Sequence, residues 1–252
     1  MSNKYKLGDK MVKQFLTIKS LKEHIYSYGF EIEGCKISSN ALRWLEKEKS
    51  RLNNLMKYEN ELYNSDYKLI GGIDEVGRGP LAGPVVAGCV ILPKQSLIPD
   101  IDDSKKLSEA KRELLSEIIK KKAISYGIGI IDNERIDRIN ILNSTYEAMK
   151  MAISNLNIKA DFLLVDAISI PDIDIAQMSI VKGDAKSISI AAASIIAKVT
   201  RDNLMKKYDE IYPQYGFYKN KGYGTKEHIE AIKKYGPCPI HRKTFLKNIL
   251  GD

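Results

Sequence analysis

Cysteine is scarce in this chain: Cys35, Cys89 and Cys238 are the only three in 252 residues. An odd, widely spaced set builds no disulfide framework and suits a reducing cytosol. No apolar run approaches the ~18 residues a membrane helix needs, so no bilayer span is expected. The opening MSNKYKLGDKMVKQ carries charge but neither an apolar core nor a small-residue cleavage site, which is not the pattern of a signal peptide. There is no internal repeat and no low-complexity tract. What remains, 44% hydrophobic and 29% charged residues, supports one full-sized domain with a small appendage and excludes a disordered or fibrous chain. The expected setting is cytoplasmic, with no membrane partner, and the chain is taken as a monomer.

Lysine and arginine number 40 against 32 acids, for a net charge of +8. That balance fits either a soluble lysine-rich protein or a partner that is a polyanion such as nucleic acid. Charge alone does not choose between them.

The first 66 residues differ in texture from the rest. Val12, Leu16 and Leu21 lie among lysines, a turn-like YGFEIEGCKISSN follows, and Leu42, Leu45, Leu52, Leu55, Met56 and Leu62 then recur at helical spacing. Ser39 or Asn40 is a suitable N-cap for that stretch. Two helices of this length bury little alone and are expected to dock on the main domain or on a partner. From Tyr67 the pattern predicts strands over 67–74, 84–92, 123–131, 162–166 and 177–181. It predicts helices from Ser108 to about Lys122, over 133–155, from the Asp184 region to about Tyr208, and over 226–235. Strands interspersed with covering helices indicate an α/β domain with a mixed sheet, here residues 67–252, preceded by a helical extension over 1–66.

Acids sit at three strand ends: Asp74 with Glu75, Asp166, and Asp184. Ligand sites in α/β sheets gather at such ends. Four carboxylates brought together there would repel one another unless a cation neutralised them. An all-oxygen set without His or Cys suits Mg²⁺ or Mn²⁺ rather than zinc. Two such ions ~3.5–4 Å apart are the arrangement for hydrolysing a phosphodiester. Each acid also has a purely structural reading. Asp184 would cap the following helix and Asp166 would form a strand-end turn; the adjacent pair Asp74-Glu75 after a buried strand is harder to explain that way.

The loop Gly77-Arg78-Gly79-Pro80-Leu81-Ala82 formally matches the dinucleotide fingerprint G-x-G-x-x-A, but that fingerprint demands a helix next. Here PVVAGCVIL follows and reads as a strand, so a nicotinamide oxidoreductase is disfavoured. The glycines can instead let backbone approach a ligand closely, with Arg78 beside it to meet a phosphate.

These residues carry a resemblance. GIDEVGRGPLAGPVVAGCVIL, Asp103-Ser104-Lys105-Lys106-Leu107, LLVDA around Asp166, KGDAKSISIAAASIIAKVTRD, YPQYGFYKNKGYGTKEH and GPCPIHRKTF together resemble the type 2 ribonuclease H family, ribonuclease HII, over about Tyr67 to Phe245. The resemblance implies a ribonuclease H-like fold with a central mixed sheet flanked by helices. It also implies an endoribonuclease that hydrolyses the RNA strand of RNA/DNA hybrids and cuts 5′ of single ribonucleotides embedded in DNA, leaving 3′-hydroxyl and 5′-phosphate ends. By motif position, Asp74, Glu75, Asp166 and Asp184 match the catalytic, metal-binding acids for Mn²⁺ or Mg²⁺. Gly77, Arg78 and Gly79 match the segment that senses the ribose 2′-hydroxyl, Tyr223 the residue that packs on the junction sugar, and Ser104 and Lys105 further substrate contacts. The Gly-Arg-Gly triplet separates this family from its sister, ribonuclease HIII, which lacks that arginine. A hybrid nuclease of the HIII kind and a non-catalytic RNA/DNA-binding protein on the same fold are the competing readings.

One position departs from the pattern: Ala167 stands where the family usually has glycine, which bears on close backbone approach. The alanines of residues 187–198 read as close packing on the sheet, with Ser194 and Lys198 as candidates to face a substrate. His228 and His241, with Cys238, invite a zinc assignment, but further ligands are missing and a structural or phosphate-facing role is expected. Of the tyrosines Tyr212, Tyr215, Tyr218 and Tyr223, only the last is assigned a specific task.

Overall fold

The computed structural model describes residues 17–28 and 37–251. Val12, Leu16, Cys35 and the turn expected over 29–36 lie outside the described residues. The chain forms two compact units, one of Met1–Leu52 with Leu97–Asp100, the other of Asn53–Ser96 with Ile101–Asp252.

In the first unit, α1 (Ile18–Tyr28) and α2 (Ser39–Leu55) bury Leu21, Ile25, Ala41 and Leu45 in one cluster. Each pair is four residues apart, which places it on one helix face. Asp100 accepts hydrogen bonds from Lys22 Nζ at 2.8 Å and Tyr26 Oη at 2.9 Å, and donates its N–H to Glu48 Oε1 at 2.7 Å. The helix expected to run on to Leu62 breaks at Met56, and α3 (Lys57–Asn64) follows. No glycine or proline marks that break.

The second unit is built on a five-stranded sheet of β1 (Ile70–Val76), β2 (Val85–Ile91), β3 (Ser125–Ile131), β4 (Phe162–Asp166) and β5 (Ala176–Ile180), in the order β3-β2-β1-β4-β5. β1 and β2, and β2 and β3, are antiparallel, whereas β1–β4 and β4–β5 are parallel. This is the mixed sheet expected from the sequence. The covering helices are α4 (Glu109–Lys122), α5 (Asn133–Ser154), α6 (Ile188–Ile211), α7 (Phe217–Asn220), α8 (Lys226–Tyr235) and α9 (Lys243–Leu250). Val85, Ala87, Cys89 and Ile91 alternate along β2 and share a core with Ala148, Met149 and Ala152 of α5. The intervening residues of β2 face α6, which approaches so closely that a Cβ on Gly88 would lie 2.7 Å from the Ala193 carbonyl oxygen. The small residues of α6 therefore serve close packing.

Three sequence expectations change. α5 is two helices, broken at Asn140 (φ 68°, ψ 168°), whose Oδ1 caps the second half by accepting from the N–H groups of Leu142 and Asn143. Asparagine tolerates positive φ and caps well, so one residue ends a helix and starts the next. α6 begins at Ile188 behind Ser187, not at Asp184, because Ser187 Oγ accepts the N–H of Ile190 at 3.2 Å. The sequence pattern predicts no helix beyond 235, yet α9 forms there, with Leu246 buried.

Candidate active site

β1 and β4 run parallel at the centre of the sheet, and their register pairs Ile73 with Val165. The next residues, Asp74 and Asp166, are thereby neighbours at the same sheet end. Asp166 Oδ1 accepts the Gly183 N–H at 2.6 Å, which ties β4 to the short turn Gly183–Ala185 that carries Asp184. Asp74, Glu75, Asp166 and Asp184 thus come together from three segments. The capping role open to Asp184 in the sequence is taken by Ser187.

The electrostatics of the four acids are those of crowded carboxylates. Asp74 is 5% exposed, and burial first, then the Glu75 charge and that of Asp166, hold its pKa well above the usual aspartate value. A hydrogen bond from Ser194 and the Glu75 N–H on Asp74 Oδ1 at 2.8 Å oppose this without cancelling it. Burial also raises Glu75, against the pull of Arg78, whose Nη1 lies 3.5 Å from Glu75 Oε1. Asp184 is raised by burial and by the charges of Asp103 and Asp166. The Lys105 ammonium, 3.7 Å from Asp184 Oδ2, offsets part of this charge. Partial burial would lower Lys105, yet the carboxylates of Asp184, Asp103, Asp74 and Asp166 together raise it.

A hard divalent cation fits this donor set, since all donors are carboxylate oxygens and each would lose repulsion on binding. Among the described residues no three His, Cys, Asp or Glu side chains are gathered closely enough to hold a metal ion as they stand. With only Arg78 and Lys105 to offset them, the carboxylates repel one another and stay apart.

The loop after Glu75 is organised by two arginines that sequence reading passed over. Arg201 on α6 and Arg242 just before α9 are each 0% exposed. Arg201 donates Nε to the Pro84 carbonyl at 2.9 Å, Nη2 to Ala82 at 3.1 Å and Nη1 to Lys221 at 2.9 Å. Arg242 donates to the carbonyls of Gly77, Arg78 and Gly83. Burial, and then the Arg201 charge, press Arg242 down to about 9, so it stays protonated at neutral pH. Backbone bonds Leu81 N–H to Gly222 and Arg242 N–H to Leu81 complete the frame. No helix follows this loop; β2 does, and the nicotinamide reading falls.

The two glycines of the triplet have different reasons. Gly77 has φ +96°, and a Cβ there would lie 2.3 Å from Arg201 Nε, so the fold itself demands glycine. At Gly79 an added Cβ meets only the Tyr223 ring, at an ordinary 3.8 Å. Packing within the fold does not require that glycine. Gly77→Ala should cost about 1–2 kcal/mol or more in urea unfolding. Gly79→Ala should stay within about 0.5 kcal/mol of wild type in the same assay.

Ala167 is the centre of a three-residue turn in which Ile168 N–H reaches the Asp166 carbonyl at 2.7 Å, and its φ is +58°. A positive φ is a backbone conformation that glycine adopts without the strain an alanine carries. Ala167→Gly should stabilise the fold by about 1 kcal/mol, the left-handed penalty of an L-residue less the entropy of a glycine, read as a higher Tm.

Of the remaining expectations, Ser104 is 3% exposed and its Oγ lies 2.9 Å from Ser194 Oγ, so its hydroxyl supports the residue that bonds Asp74. Lys198 is paired with Asp202 at 2.7 Å. Tyr223 is 44% exposed beside Gly79. His228 and His241 are buried and bonded to each other, 3.0 Å between Nε2 atoms, with no metal geometry. Glu59 on α3 was not singled out. It is 1% exposed, its Oε1 accepts from Ser187 Oγ and, at 3.0 Å, from the Ser189 N–H, and it thereby closes the N-terminus of α6 just behind Asp184.

A family model described as Ribonuclease HII matches residues 71–248. The chain is 60% identical over 236 residues to the ribonuclease HII of Caldanaerobacter subterraneus subsp. tengcongensis, covering 93% of this chain and 98% of that one. It is 64% identical over 206 residues to that of Clostridioides difficile, 82% of this chain and 81% of the other. Among solved structures it is similar to the ribonuclease H2 of Pyrococcus horikoshii OT3, with a TM-score of 0.61 and 29% identity over 72% of this chain and 97% of that one. The mixed sheet with its flanking helices is accordingly a ribonuclease H-like fold, and the chain belongs to the ribonuclease HII family.

Proposed function

We propose that the protein is an endoribonuclease that hydrolyses the RNA strand of RNA/DNA hybrids and cuts on the 5′ side of single ribonucleotides embedded in duplex DNA, with 3′-hydroxyl and 5′-phosphate products. The observation that carries this reading is the convergence of Asp74, Glu75, Asp166 and Asp184 beside a loop whose glycine at 79 the fold does not need. These acids would hold Mn²⁺ or Mg²⁺, which when bound supplies charge neutralisation and polarises the phosphodiester and a water. Ser194, itself bonded to Ser104, fixes Asp74 in place. Lys105, largely exposed at the edge of the cluster, meets substrate phosphate, and Arg78 reaches the same side. The backbone of 77–79 and the Tyr223 ring meet the ribose, whose 2′-hydroxyl is what distinguishes RNA from DNA.

In this reading residues 67–252 form the catalytic part and residues 1–66 a helical extension. The protein works as a cytoplasmic monomer whose partner is nucleic acid. No helix among the described residues is long and apolar enough to cross a membrane. A long RNA/DNA hybrid incubated with Mn²⁺ or Mg²⁺ should give fragments that a ligase accepts through their 5′-phosphates, and chelation should stop the reaction. Binding without cleavage under both metals would favour a non-catalytic protein instead.

A further inference from the structure

His228 on α8 and His241 ahead of α9 play no part in the chemistry above, yet they are 0% and 1% exposed. Their rings pack edge-on against Tyr215 and beside Phe217. With the Nε2 atoms 3.0 Å apart, one proton must lie between them. The contacts of the outer ring nitrogens assign it to one ring. His241 Nδ1 has the Cys238 N–H at 2.9 Å, the Cys238 Sγ at 3.1 Å and the Cys238 carbonyl at 3.3 Å; the shortest of these is a donor, so we assign Nδ1 as the acceptor and the His241 proton to Nε2. His241 then donates to His228 Nε2, which leaves the His228 proton on Nδ1, where it donates to the Tyr223 carbonyl at 2.8 Å. Three hydrogen bonds run in one direction, from Cys238 through both imidazoles to Tyr223, and each polarises the next. Burial depresses both imidazoles, His241 to about 4, so both rings are neutral at pH 7, as the chain requires.

We propose that His228 and His241 are positioning residues for Tyr223: the chain of hydrogen bonds fixes the Tyr223 carbonyl and so holds the exposed ring opposite Gly79, where the ribose of the cleaved junction sits. The inference rests on the reading of Tyr223 as the residue that meets that sugar. A lone ribonucleotide offers one productive register, so misplacing the ring should be felt most there. A long hybrid presents a ribose at every register and tolerates the error better.

The test compares His228→Phe, His228→Asn and Tyr223→Ala on a duplex with one ribonucleotide and on a long hybrid. Phenylalanine keeps the aromatic packing and loses the donor; asparagine places an amide N–H near the Nδ1 position. The expected result for His228→Phe is a loss in kcat/KM on the order of tenfold at the single ribonucleotide, the worth of one buried hydrogen bond, with a smaller loss on the hybrid. His228→Asn should recover most of it. Should the phenylalanine variant fail to fold, ¹⁵N spectra of the wild-type imidazoles decide alone. They should show a neutral Nδ1–H tautomer for His228 and a neutral Nε2–H tautomer for His241. Other tautomers, or a charged ring at pH 7, would overturn the chain. If Tyr223→Ala loses the lone-ribonucleotide activity while His228→Phe keeps it, the pair does not position Tyr223. If Tyr223→Ala itself leaves the substrate preference unchanged, the reading of Tyr223 falls and the proposal with it.

Discussion

Asp74→Asn should lower cleavage by about 10³-fold or more, the scale of removing one electrostatic stabiliser from a reacting centre, and should raise the stability of the metal-free protein. Both effects come from the same carboxylate. Its pKa is raised by burial and by Glu75 and Asp166, so the folded protein holds the charged form at a cost. A group whose folded pKa lies above its unfolded value stabilises below the unfolded value and loses that contribution as pH rises through the folded one. At neutral pH Asp74 is therefore a liability to the fold. Asparagine keeps an Oδ1 to accept from the Glu75 N–H and Ser194, and removes the charge. The variant should therefore unfold at a higher Tm than wild type. Thermal unfolding in chelator between pH 5 and 8 reads it, and the advantage of the variant should grow with pH. Adding Mn²⁺ should stabilise wild type more than the variant.

Arg242→Ala should cost several kcal/mol of stability, because it strips the donors from three buried carbonyls and leaves a cavity. Replacing a buried ion pair by apolar residues can be neutral when both partners go. Here the partners are the carbonyls of Gly77, Arg78 and Gly83, which remain when the side chain is removed. Each buried carbonyl left without a donor costs about 1–3 kcal/mol. Arg242→Lys keeps the charge but offers one ammonium where a planar fork served three carbonyls, so it should recover only part of the loss. Urea unfolding gives the stabilities. Because the same loop carries Gly79, lone-ribonucleotide cleavage should fall even at temperatures where the variant remains folded.

The acids were legible because strand ends are legible. An apolar run ending on Asp166 gives β4 to the residue, and the pair Asp74-Glu75 after LIGGI has no easy structural role. What periodicity could not show is pairing at long range. Arg201 and Arg242 look like two more basic residues in a basic chain, and only the fold reveals that carbonyls from 77 to 84 and Lys221 surround them. Arginine is seldom fully buried, so nothing in sequence favoured that outcome. Glu59 reads as one acid on a polar helix until α3 is laid against the start of α6. The histidines invited a metal because spacing alone cannot say that the two rings meet each other. Ala167 was visible as a departure, but its meaning, a positive φ, is a property of the turn. The break at Asn140 is hidden for a related reason: a capping asparagine inside a helical period does not interrupt that period, and only the backbone shows its positive φ.

An end-labelled DNA duplex containing a single ribonucleotide is incubated with Mg²⁺ or Mn²⁺ and wild-type protein, with Asp74→Asn alongside. The prediction is one cut on the 5′ side of the ribonucleotide by wild type and almost none by the variant. Survival of the lone ribonucleotide while a long RNA/DNA hybrid is cut would contradict the roles given to Arg78, Gly79 and Tyr223, and equal cleavage by Asp74→Asn would contradict the site itself.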